Sequence, residues 1–95
     1  MLYERQVDSF SRLMREARRL DSDAGIRLVG SYRGKRCMVF VSRSGVGYAA
    51  IVCSLKRGTD PTPGRRILAV EFKRATELGK FVKGVAGERV RAIVY

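Results

Sequence analysis

Eight basic residues stand in or beside turn-forming segments of this 95-residue chain. They are Arg33, Lys35 and Arg36 around Gly34; Arg43 just before Ser44, Gly45, Val46 and Gly47; and Lys56, Arg57, Arg65 and Arg66, flanking a stretch with Gly58, Asp60, Pro61, Pro63 and Gly64. Guanidinium and ammonium groups on Gly-rich turns suit contact with phosphate oxygens, so these eight are the candidate nucleic-acid-binding residues. Tyr32 and Tyr48 add rings that can stack on bases or form the edge of a core.

The charge balance points the same way. Twenty Lys and Arg against nine Asp and Glu leave +11 at pH 7, more than solubility asks of a domain this size. A polyanion is the expected partner, and nucleic acid the commonest one, because each neutralised phosphate releases condensed counterions. There is no His, and the two Cys form no CxxC, so zinc and His-based acid–base or nucleophilic chemistry lack their groups. No Gly-rich phosphate loop of P-loop or dinucleotide spacing occurs, and no cofactor is expected. No segment approaches the roughly 20 apolar residues of a membrane span, and Met1 leads into polar sequence, so a cytoplasmic protein is expected.

The elements that would position the basic groups can be read from apolar spacing. Tyr3, Val7, Phe10, Met14 and Ala17, widened by Leu13 and Leu20, predict an amphipathic first helix, closed by the turn formers at 21–25. Residues 26–32, 37–41 and 48–55 read as strands, the last two as continuous apolar runs of the kind buried on two faces. Residues 56–66 read as an exposed loop without regular pairing. After a short extended stretch at 67–70, Phe72, Ala75, Leu78, Val82 and Val85 predict a second helix, and 90–94 a closing strand. The expectation is a single α/β domain over residues 1–95, order α-β-β-β-α-β, with a mixed central sheet flanked by helices on both sides.

A hairpin centred on Gly45 would set Cys37 opposite Cys53, close enough for a disulfide; two small buried hydrophobes are the other reading.

The run YERQVDSFSRLMREA, followed by GIRLVGSYRGKRCMVFV, GYAAIVCSLKRG and LGKFVKGVAGERVRAIVY, resembles the archaeal Holliday-junction resolvases, of restriction-endonuclease-like fold. Their site is an Asp on one strand and Glu-x-Lys on the next, where carboxylates hold a divalent metal that activates water. Matched strand to strand, those positions fall on Cys37, Ile51 and Cys53, and Glu4 matches an acidic position on the first helix. The resemblance therefore implies a scaffold that binds duplex or branched DNA, or structured RNA, without cutting it. It also implies a homodimer through a helix face. An active nuclease would have to draw on Asp60, Glu71 and Lys73, which repeat the Asp and Glu-x-Lys types elsewhere in the chain. A second resemblance covers CMVFVSRSGVGYAAIVCSLKRGTDPTPGRRILAV and the helix after it, similar to the transcriptional-coactivator family of single-strand DNA binders, with Pro63, Gly64, Arg65 and Arg66 matching a Pro-Gly-basic strand start.

Overall fold

The structure is a computed structural model that describes residues 4–56, 62–87 and 90–95. Its elements run β1 (Arg5–Val7), α1 (Phe10–Arg18), β2 (Gly25–Tyr32), β3 (Lys35–Ser44), β4 (Gly47–Lys56), β5 (Thr62–Phe72), α2 (Ala75–Ala86) and β6 (Ala92–Val94). The six strands form one open sheet in the order β1-β6-β2-β3-β4-β5, and every neighbouring pair is antiparallel.

This corrects the expected mixed sheet of order α-β-β-β-α-β, and the restriction-endonuclease-like architecture with it. Two tight turns, at Arg33–Gly34 and Gly45–Val46, join β2 to β3 and β3 to β4, and such short links can only give antiparallel neighbours. At the start of the chain, Val7 lies in β1, paired with Ala92, rather than on the first helix. Ser9 caps α1 by accepting from the Arg12 N–H at 3.3 Å, so the helix starts at Phe10. The spacing of Val7 and Phe10 imitated a helix across a strand and a turn; Tyr3 lies outside the described residues.

The expected loop at 56–66 is also corrected over its described part. Thr62 and Pro63 pair with Lys56 and Leu55, and β5 continues unbroken to Phe72, so Phe72 and Glu71 are strand rather than helix residues. Pro63 is tolerated because β5 is an edge strand, and register shifts opposite Cys53 absorb the irregularity.

Both helices cover the same face of the sheet. Leu13, Met14 and Ala17 of α1 and Leu78, Val82 and Val85 of α2 share one core with Ile26, Leu28, Val39, Val41, Ala50 and Val52. Most of these are no more than 2% exposed, each burial stabilising by roughly 1.5–3 kcal/mol for a full-sized aliphatic side chain. The helices approach closely at Gly79, where a Cβ would lie 3.4 Å from Met14 and Phe10. That is ordinary van der Waals contact with two side-chain ends, so the packing at this point does not itself demand a glycine.

The opposite face carries no helix. Strand alternation gives it Arg27 and Val29 of β2, Arg36, Met38, Phe40 and Ser42 of β3, Ala49, Ile51, Cys53 and Leu55 of β4, and Ile93 of β6. The apolar runs of β3 and β4 are continuous because both faces are apolar, yet only one is packed by helices. Met38 and Cys53 on the uncovered face are nevertheless only 5% and 8% exposed.

Candidate nucleic-acid interface

The antiparallel meander sorts the predicted basic residues by end. The β2–β3 turn and the β4–β5 connection open at the same end of the sheet, since Lys35 pairs with Tyr32 and Lys56 with Thr62. Arg33, Lys35, Arg36, Lys56, Arg65 and Arg66 thus gather there, all exposed. Among the described residues none of the six makes an ion pair; the ion pairs that form are Arg5–Glu16 at 2.7 Å, Arg27–Glu4 at 3.0 Å and Arg12–Asp8 at 3.8 Å. Arg57 and Asp60 lie outside the described residues.

Arg33 holds a left-handed backbone, φ 52°, followed by Gly34 at φ 79°. A two-residue hairpin of this hand favours Asn-Gly, and a bulky side chain at its first position costs roughly 1 kcal/mol or more. The guanidinium stands 5.4 Å over the Tyr32 ring. Nearby, Ser54 Oγ accepts the Arg65 N–H at 2.9 Å and steadies the start of β5 where its register shifts.

Arg43 sits at the other end and does something else. Its Nε donates to the Leu20 carbonyl at 3.1 Å and its Nη2 to the Arg18 carbonyl at 3.2 Å, satisfying the last backbone acceptors around the end of α1. The guanidinium also lies 4.5 Å above the Tyr48 ring, and Tyr48 is only 5% exposed. Arg43 is a latch between helix and sheet, and Tyr48 is covered rather than offered to a base.

The positions matched to catalytic residues do not converge. Cys37 pairs with Ser54 and Met38 with Cys53, so Cys37 faces the helices while Ile51 and Cys53 face away. The strands meet with Ser44 opposite Gly47, one residue off a hairpin centred on Gly45, and a one-residue slip exchanges the faces. Both thiols are free and buried, and no Cys37–Cys53 disulfide can form across the sheet. Burial pushes the Cys37 thiol above its usual range, partly opposed by a hydrogen bond from the Gly30 backbone. Glu4 is held by Arg27, and Glu71, on β5 opposite Ala49, accepts from the Ser44 hydroxyl at 3.1 Å. Lys73 lies in the bend before α2. Among the described residues no three His, Cys, Asp or Glu side chains gather as metal ligands.

Further residues, unmarked by composition or turn chemistry, lie on the uncovered face. Phe40 lies half-buried on the uncovered face, with Arg27 opposite it on β2 and Ile51 opposite it on β4. Tyr95 pairs through its backbone with Gly25, and its ring lies 5.8 Å from the Arg27 guanidinium. Arg36, opposite Ser31, links this face to the basic end. The available signal for Arg27 was a cation interrupting the apolar pair Ile26 and Leu28; Phe40, inside a continuous apolar run, carried none.

Among the described residues no helix is long and apolar enough to cross a membrane. No family model matches the chain, and neither a curated protein nor a solved structure matches it.

Proposed function

We propose that this chain is a non-catalytic nucleic-acid-binding protein that holds a single strand, its phosphates on the basic end of the sheet and its bases along the uncovered face. The observation that carries this reading is that six cations, none ion-paired among the described residues, stand at one end of a sheet face that no helix covers and on which Phe40 lies half-buried. A duplex hides its bases and offers an apolar face nothing, whereas an unpaired strand presents both phosphates and ring faces. The β3-β4-β5-α2 order, a meander followed by a helix, also spans the segment that is similar to the single-strand-binding coactivator family. Arg36, on the same face as Phe40 and free of an ion pair among the described residues, would take the phosphate of a base stacked there.

The test is competition among single-stranded, duplex and four-way DNA and single-stranded RNA of equal length, followed across a salt series. Single strands are expected to win, with log K falling linearly in log salt. Phe40→Ala should lose roughly 5- to 100-fold on single strands, the range for one stacked base, and little on duplex. A preference for duplex or junction that ignores Phe40→Ala would sink the single-strand reading and leave binding through phosphates. Incubation with the same substrates in Mg²⁺ or Mn²⁺ should leave them intact; a specific product that disappears with Glu71→Ala would overturn the non-catalytic assignment.

A further inference from the structure

The helix layer has an opening of its own, on the other side of the sheet from the uncovered face. Phe10 and Met14 of α1 and Ala75 and Gly79 of α2 floor a trough of about 340 Å³ between the helices. Glycine inside a helix is destabilising, and the contact with α1 does not demand it at 79; without a side chain there the floor stays low between Phe10 and Met14. Three exposed cations rim the trough, Arg18 from α1 and Lys80 and Lys83 from α2, and Lys83 Nζ reaches to 5.7 Å from the Phe10 ring centroid. Among the described residues none of the three is ion-paired, and no acidic side chain lines the trough. The helices' own acids are placed elsewhere: Glu16 is held by Arg5 at 2.7 Å, and Glu77 is turned about 160° round α2 from Gly79.

We infer that this trough docks an acidic amphipathic helix of another protein, its apolar side chains on the floor and its carboxylates against Arg18, Lys80 and Lys83. An apolar floor inside a rim of one sign selects that occupant. Phosphate contacts need no apolar floor, and the half-buried Phe10 ring is already shared with Lys83, which leaves a base no open platform. A membrane takes up protruding apolar side chains, and the large ones that stand out among the described residues, Val46 and Ile67, lie elsewhere. A second copy of this chain carries +11 and brings cations to cations. An amphipathic helix laid along two packed ones seats anchors at i, i+3, i+4 and i+7, and carboxylates flanking those anchors meet a cation on either wall. None of the residues proposed to hold nucleic acid lines the trough, so either site can fail while the other stands.

NMR titration of the full chain, without nucleic acid, tests it. The probe is a synthetic peptide of about 18 residues, long enough to be helical, with Leu at i, i+3, i+4 and i+7, Glu on the flanks and Ala elsewhere; its shuffled isomer has the same charge and no apolar stripe. Resonances of the Met14 methyl, the Phe10 ring and the Ala75 and Gly79 amides are expected to move, and the shuffled isomer to bind at least about tenfold more weakly. Equal affinity for the two isomers, no binding, or shifts away from the trough would overturn the inference. Lys80→Glu with Lys83→Glu, both exposed, should weaken the peptide roughly tenfold with the circular dichroism spectrum unchanged; undiminished affinity would overturn it too. A peptide with Lys in place of Glu should bind that variant more tightly than it binds the parent chain, a rescue that loss of folding cannot imitate. Single-stranded DNA or phosphatidylglycerol vesicles moving the trough resonances where the peptide does not would assign the trough to nucleic acid or to membrane and overturn the proposal.

Discussion

The two ends of the sheet carry arginines that look alike in sequence and behave oppositely. At the β2–β3 end, Arg33, Lys35, Arg36, Lys56, Arg65 and Arg66 face solvent without a described carboxylate partner. At the β3–β4 end, Arg43 gives its donors to the Leu20 and Arg18 carbonyls and its face to Tyr48, while Glu71 is occupied by Ser44. A basic residue beside a Gly-rich turn is available for phosphate only if no backbone acceptor is nearer. Along this chain that depends on where a helix ends: α1 ends against the Arg43 end and spends its carbonyls there.

The contrast is broken most strongly by removing the free cations together. Replacing Lys56, Arg65, Arg66 and Arg36 by Ala should cut single-strand affinity at least about a hundredfold and lower the salt slope by about 0.7 for each phosphate no longer neutralised, with little change in Tm. Affinity that survives this would mean the uncovered face binds without the basic end.

Arg43→Ala should do the reverse. It leaves carbonyls near the end of α1 without donors and exposes Tyr48, at a stability cost of about 2 kcal/mol by urea denaturation, while affinity of the folded fraction changes less than about twofold. Equal losses of affinity and stability at both ends would erase the distinction.

Arg33→Asn tests the two demands at one residue. Asn accepts a left-handed backbone more readily, so stability should rise by a few tenths of a kcal/mol, to about 1, as one phosphate partner is given up. A fall in stability would show that the Arg33–Tyr32 stack outweighs the backbone strain.

The smallest effect concerns the packed face. Burial raises the Cys37 thiol in the folded chain, so the fold retains the proton more tightly than the unfolded chain does. That stabilisation is complete below the ordinary thiol pKa of about 8.5 and is lost as pH climbs toward the raised value. Cys37→Ala should flatten the alkaline part of the stability curve, and an unchanged slope would assign it to other groups. The Cys53 thiol, across the sheet, should not become joined to Cys37 under mild oxidation, as mass determination would show.

Much of this was legible in the residues. The apolar runs at 37–41 and 48–55 marked β3 and β4, and Leu78, Val82 and Val85 marked the buried stripe of α2, because burial of periodic apolar groups is a local demand. Pro63 and Gly64 disguised a strand as a loop, since an edge strand tolerates what a central strand cannot. Composition and spacing by themselves determined a basic, strand-rich chain with its cations at turns. Only the tertiary structure decided the all-antiparallel order, the one-residue register that sends Cys37 and Cys53 to opposite faces, and the capture of Arg43. Those depend on groups far apart in the chain meeting in space, as Arg5 meets Val94 and Arg43 meets Leu20, and no local pattern encodes which carbonyl an arginine will find.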